Sequence, residues 1–186
     1  MNIESIASTR IGKLFVRAMG KIMESRFRYR FFGPARILEG AGIQPGQTVL
    51  EVGCGTGFFT LPAARLIGEK GSLVAMDILP DSVALVGRKV QTANLMNVRV
   101  IKGDAMNTGL DSESFHMVLL FGVIPAPMIP VSKLLPEMHR IIKHDGNLAV
   151  WPPVPGWLPN SILKSKLFEL IGKRNGVFLF RRCDAC

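Results

Sequence analysis

A chain of 186 residues that is 48% hydrophobic and 20% charged is long enough to bury the core of one α/β domain and too short for two full ones. It has no run of eighteen or more uncharged apolar residues, and charges are scattered through its first thirty residues where a signal peptide would need an apolar stretch and a cleavage site, so the expectation is a protein neither exported nor membrane-spanning. Three cysteines, Cys54, Cys183 and Cys186, are too few for a disulfide framework, and a reducing cytoplasm is the expected setting.

The net charge of +9 is concentrated at the start of the chain: residues 1–38 carry eight Lys/Arg against Glu4 and Glu24. Basic patches favour phosphate-bearing partners, whether nucleic acid, anionic lipid or a charged substrate. Within this stretch Ile3, Ala7, Ile11, Leu14, Ala18 and Ile22 recur at helical spacing beside a second stripe of Arg10, Lys13, Arg17 and Lys21. The pattern predicts a basic amphipathic helix over 3–22. It reads either as an interfacial helix at the inner face of an anionic membrane or as a lid packed on its own domain with a solvated charged face. Arg26, Arg28 and Arg30 then alternate with Phe27, Tyr29, Phe31 and Phe32, a strap leading into the domain or a set of stacking rings for nucleic acid. Residues 1–33 are therefore read as an extension, 34–182 as the domain and 183–186 as a tail.

From residue 46 short apolar runs alternate with amphipathic stretches, which predicts βα units around a mostly parallel sheet with helices on both faces. Five strands are expected at 48–52, 72–76, 98–102, 117–121 and 147–151, all apolar on both faces as a covered sheet requires. Helical spacing covers 58–67, 80–93 and 133–143, with Pro80 as a first-turn proline, Ser132 as an N-cap and Pro136 near the end of a first turn. A Pro/Trp-rich loop, a helix over 160–167 and strands at 170–173 and 177–180 follow. Arg174-Asn175-Gly176 reads as the hairpin turn between the last two, giving seven strands that end in an antiparallel hairpin.

Chemistry concentrates at the first strand's end. Glu51-Val52-Gly53-Cys54-Gly55-Thr56-Gly57 follows a strand and opens a helix, where glycines permit a tight turn and close approach of backbone to ligand. A dinucleotide fingerprint would require glycine at position 58, which is Phe58; here the third glycine arrives one residue earlier, as Gly57. Asp77 ends the second strand, where a carboxylate accepts both ribose hydroxyls of a nucleoside, and Asp104 follows the third. Acids at three consecutive strand ends form a constellation.

In order along 34–182, VLEVGCGTG, AMD, KGDA, FHMVLLFGVI and HRIIKHDGNLAV resemble the small single-domain class I S-adenosylmethionine-dependent methyltransferases related to quinone- and sterol-methylating enzymes. The resemblance implies a Rossmann-like fold, S-adenosylmethionine as the methyl donor, and a donor site of Glu51, the Gly53-Cys54-Gly55-Thr56-Gly57 loop for the methionine moiety, Asp77 with Ile78 for ribose, Asp104 with Ala105 for adenine, and Phe121. The loops 121–130 and 151–159 are dominated by apolar residues and suit a small apolar or lipid-like acceptor, with Tyr29, Ile124, Met128, Trp151 and Trp157 as candidate lining. The sequence departs from relatives in having His116 for the usual acid opening strand four and Ile124-Pro125-Ala126-Pro127-Met128 after it, with no polar group there. No catalytic residue is therefore assigned and no metal site is expected. His116, His139 and His144 read as surface or packing residues, and the Cys183/Cys186 pair as a tail without partner ligands. Two other functions stay open: methylation of RNA or protein, and a family member that binds the donor without turnover.

Overall fold

The computed structural model describes residues 33–126, 129–152, 154 and 156–184. The basic helix expected over 3–22, the Arg/Phe strap with Tyr29, and Met128 and Cys186 lie outside these residues. The elements run α1 (Pro34–Ala41), β1 (Thr48–Val52), α2 (Thr60–Ile67), β2 (Ser72–Asp77), α3 (Pro80–Thr92), β3 (Val98–Lys102), β4 (Phe115–Phe121), α4 (Val131–Ile141), β5 (Ile142–Trp151), α5 (Asn160–Lys164), β6 (Phe168–Arg174) and β7 (Val177–Arg182). They form one seven-stranded sheet in the order β3-β2-β1-β4-β5-β7-β6. β1 to β5 pair in parallel, whereas β7 is antiparallel to both β5 and β6. The order of the strands reverses between β1 and β4, and a crevice opens there outside the strands' carboxyl ends.

Alternation along the strands sends neighbouring side chains to opposite faces. Leu50, Met76, Leu120, Leu148 and Phe180 meet Leu134, Leu135 and Met138 of α4 and Ile162 of α5. On the other face Val49, Leu73, Leu119 and Ala149 meet Ile37 and Leu38 of α1 and Ala63 and Ile67 of α2, while Ala75 meets Val86 and Val90 of α3. Burying a side chain of this size is worth about 1.5–3 kcal/mol, and apolarity on both faces of β1, β2 and β4 is what the two helical layers demand. Asn175 and Gly176 form the two-residue turn between β6 and β7 with φ of 51° and 81°, the paired positive angles that match strand twist in a tight hairpin.

Several boundaries differ from those the sequence suggests. α4 begins at Val131 with Pro130 as its N-cap, so Ser132 lies inside the helix and caps nothing. Pro136 is consequently an interior residue beyond the first turn and removes the N–H that would reach the Ser132 carbonyl. α5 stops at Lys164, because Lys166 takes a φ of 57° that ends the helix. β4 and β5 each start earlier than their apolar runs, with Phe115 paired to Ile142 across an irregularity that absorbs the polar residues 143–145 and Gly146. Cys183 is no loose tail: its N–H donates to the Leu167 carbonyl and its own carbonyl contacts His139 Nε2 at 2.9 Å. Among the described residues no helix is long and apolar enough to cross a membrane.

Candidate functional site

The turn after β1 is built from crossed hydrogen bonds. Gly53 and Cys54 both donate their N–H to the Met76 carbonyl, at 2.8 and 3.0 Å, and Gly57 N–H donates back to the Cys54 carbonyl at 2.8 Å. Gly53 and Gly57 take φ of 72° and 82°, angles that a side-chain-bearing residue adopts only with strain. At Gly53 a Cβ would also come within 3.1 Å of Val123 Cγ2, so the backbone itself forms the floor there. Lys89 Nζ, from the last turn of α3, donates to the Thr56 carbonyl at 2.9 Å and ties the loop to that helix.

Asp77, at 8% exposure, joins this loop to the next. One carboxylate oxygen accepts Gly55 N–H at 2.8 Å and the other accepts Leu79 N–H at 2.9 Å. Burial raises its pKa above the ordinary carboxylate value, opposed by the backbone bonds from Leu79, Gly55 and Ile78. Gly103 N–H donates to the Asp77 carbonyl, which brings in the loop after β3, where Asp104 accepts Met106 N–H in a side-chain-closed turn. Gly53, Asp77, Ile78, Asp104 and Ala105 thus line one cleft of about 100 Å³, walled on its apolar side by Val123 and Ile129.

The remaining sequence-predicted residues fall elsewhere. Glu51 is 2% exposed and lies beneath the loop, where its carboxylate accepts the Thr60 hydroxyl at 2.6 Å. Burial pushes its pKa up to about 8, with the Asp77 charge adding to the shift and the Thr60 bond opposing it. Glu51 is a support for the turn and does not line the cleft. Cys54 is buried against Ala75 and Val86, and burial together with the Glu51 and Asp77 charges pushes its thiol pKa upward, keeping it protonated and unreactive. Phe121 turns from the cleft into the core, its ring 4.9 Å from Phe59 and nearly edge-on. Ile124 is fully buried in the α4 layer, and its neighbour Val123 takes the place at the cleft instead. Trp151 packs edge-on to Phe59, and Trp157 edge-on to Phe178; neither is among the residues that line this cleft. Periodicity shows which residues are apolar but not which way a strand-end side chain turns, so Val123 and Ile129 were not legible beforehand.

The methyltransferase domain family matches residues 49–146, the stretch that holds the glycine loop, Asp77, Asp104 and Val123. The chain belongs to this family, the class I S-adenosylmethionine-dependent methyltransferases related to quinone-methylating enzymes. It is 34% identical over 120 residues to a demethylmenaquinone methyltransferase from Listeria welshimeri, covering 62% of this chain and 50% of that protein. Against the demethylmenaquinone methyltransferase of Staphylococcus epidermidis it is 33% identical over 111 residues, 59% of this chain and 44% of the other. The chain spans about half the length of these curated relatives. In fold it is similar to a SAM-dependent methyltransferase from Aquifex aeolicus, with a TM-score of 0.70 at 24% identity over 87% of this chain and 95% of that one. TrmN from Thermus thermophilus has a TM-score of 0.65 at 18% identity, covering 81% of this chain and 48% of its own.

For a class I methyltransferase domain, the histidines are telling by position. His116 accepts Thr48 N–H and contacts Lys143 Nζ near the amino ends of the strands, opposite the cleft. His139 packs on Phe168, and His144 contacts Asp184 and Glu113. Each is structural, in line with the sequence reading. Among the described residues no group of three or more His, Cys, Asp or Glu is placed to hold a metal ion.

Proposed function

We propose that this chain transfers the methyl group of S-adenosylmethionine to a small, apolar, quinone-like acceptor. The observation that carries the donor half is Asp77, nearly buried at the end of β2 and facing one cleft with Asp104 and Ala105. The residues fit a nucleoside: each Asp77 oxygen accepts a backbone N–H and the carboxylate keeps further acceptor capacity for a ribose hydroxyl, while Val123 and Ile129 offer a purine an apolar wall. Gly53 lets the chain approach the donor without a Cβ in the way.

When bound, S-adenosylmethionine supplies a methyl group already made electrophilic by its sulfonium. The protein's task is then to hold donor and acceptor in line, an orientation effect able to supply about 7–11 kcal/mol, and to exclude water from the cleft. That division of labour accords with a described cleft free of histidine. For the acceptor, support comes from the 34% identity to a demethylmenaquinone methyltransferase and from the apolar character of the loops after β4 and β5.

Calorimetry with S-adenosylmethionine tests the donor half. Asp77→Ala should weaken binding about ten- to a hundredfold, the cost of a hydrogen bond to a charged group of about 1.5–3 kcal/mol. Asp77→Asn, which retains one acceptor oxygen, should fall between. Equal affinity in all three proteins sinks the assignment. Labelled-methyl transfer into a cell extract fractionated into lipid, RNA and protein tests the acceptor half, with label in RNA or protein favouring the reading that the +9 charge suggests.

A further inference from the structure

Seven large hydrophobic side chains are conspicuously exposed among the described residues, and five of them fall between positions 154 and 171: Leu158 at 65%, Val154 at 53%, Leu163 and Leu170 at 41%, and Ile171 at 39%. They belong to the loop after β5, to α5 and to β6, the outermost strand of the sheet. α5 packs on the face of β6 through Ile162 and Phe168. Leu170 pairs with Phe180 on that same face, and Trp157 covers Phe178 beside them. The charge over this region is one-sided. Residues 154–184 hold six Lys/Arg against two acids, and of the acids Glu169 faces Arg181 and Asp184 faces Arg182. Lys164 and Lys166 stand exposed beside Leu163, and the Lys173 ammonium sits 4.4 Å over the Phe178 ring.

Apolar side chains interleaved with lysines suit two kinds of occupant, a second copy of the chain or a lipid surface. The edge itself disfavours the copy. A register shift between Leu170 and Gly172 bulges β6 where a pairing strand would need regular spacing, and its exposed Lys173 would meet its own kind across a symmetric contact, whereas Arg174 is paired with Glu39. An anionic bilayer satisfies both features: headgroups complement the basic rim while the leucines enter the acyl boundary and the lysine stems extend outward.

We propose that the face formed by Val154, residues 156–159, α5 and β6 docks on an anionic membrane surface. Residues 156–159 follow Trp151 at the carboxyl ends of the strands, the end that holds the cleft, whereas α5 and the start of β6 run back toward the amino ends, where Phe168 pairs with Arg182 beside Ile142. The evidence for this face is separate from that for methyl transfer.

The test is co-sedimentation of the full chain with vesicles of phosphatidylcholine and phosphatidylglycerol in roughly equal parts, against phosphatidylcholine alone, with S-adenosylmethionine affinity measured in parallel. The chain should bind the anionic vesicles preferentially. Lys164→Gln with Lys166→Gln should lower partitioning on the order of thirtyfold, from about 1 kcal/mol for each basic residue at the surface. Leu158→Ser with Leu163→Ser should lower it in both vesicle types. None of these residues touches the donor cleft, so donor affinity and melting should stay unchanged, and a failure of donor binding in the parent chain would count against methyl transfer alone. Absence of preferential binding by the parent chain overturns the proposal. So does binding that both folded variants retain in full, or a dimer in sedimentation velocity that the leucine variant converts to monomer.

Discussion

A carboxyl group under a tight turn, accepting a threonine hydroxyl 2.6 Å away, is held at the cost of its charge. The folded pKa of Glu51 of about 8 stands above the ordinary 4.5, so the folded protein holds this proton more tightly than the unfolded chain does. Its contribution is fully present below about pH 4.5 and is lost as the pH rises toward 8, because the unfolded chain then releases the proton and the folded one resists doing so. Glu51→Gln keeps the shape and the acceptor for Thr60 while removing the titration. Thermal melts at pH 6 and pH 9 should therefore show a smaller loss in the variant than in the parent, and the variant should be the more stable protein at pH 9. A parallel decline in both would show that Glu51 is not the group responsible. Because Glu51 lies below the cleft and not in it, the same variant should bind S-adenosylmethionine within a few-fold of the parent, in contrast to Asp77→Ala. The acid that the glycine motif announces and the acid that faces a nucleoside thus separate only in three dimensions. The sequence shows both at strand ends; both are buried, and which one lines the cleft depends on how the turn and the two helical layers pack.

At the scale of elements, the loop joining β3 to β4 is held by a side-chain network that sequence reasoning did not find. Thr108 donates to Glu137 Oε1 through both its N–H and its hydroxyl, at 2.8 and 2.6 Å, and Arg140 clasps both Glu137 oxygens at 2.8 Å while its guanidinium also donates to the Leu110 carbonyl and the Ser112 hydroxyl. This fastens the loop that presents Asp104 and Ala105 to α4. The Arg140 hydrogen bonds hold Glu137 down to a pKa of about 2, burial opposing and Thr108 helping. For such a depressed acid the stabilisation is present above about pH 4.5 and is lost as the pH falls toward 2. Glu137→Gln should cost about 2 kcal/mol at neutral pH, seen as a fall of roughly 4–8 °C in Tm for a domain of this size, with a difference that narrows in acid. Donor affinity should weaken with it, and an unchanged affinity would show that Asp104 needs no such anchoring. An i,i+3 Glu–Arg pair on a helix reads from sequence as a solvated surface pair, which is why it carried no signal. The strands were more legible: the apolar runs at 48–52 and 98–102 coincide with β1 and β3. The misses at α4, β4 and β5 came where proline or polar residues sit inside elements that tertiary pairing completes.

For the whole molecule the order of the sheet decides when folding can finish. β7 is last in sequence yet lies between β5 and β6, so β6 has no strand to pair with until Val177–Arg182 is in place. Val177, Phe178 and Phe180 are buried there, about 1.5–3 kcal/mol each, and their removal would also open the β5 edge along residues 147–150. The sum is comparable to the whole stability of about 5–15 kcal/mol that a domain possesses. Arg182 then closes the far end, donating to the Ile142 carbonyl, Asp184 and Glu113, and Asp184 in turn raises the pKa of His144. A chain ending at Arg174 should therefore fail to give a cooperative thermal transition, whereas Arg182→Ala should fold with a lowered Tm, because it removes a clasp while leaving the strand. Limited proteolysis distinguishes the two: the truncated chain should be degraded throughout its length, and the Arg182 variant should yield a resistant core. A truncated chain that melted cooperatively and still bound S-adenosylmethionine would show that β1 to β5 form a self-sufficient unit. The hairpin would then serve the acceptor side of the molecule and not its stability.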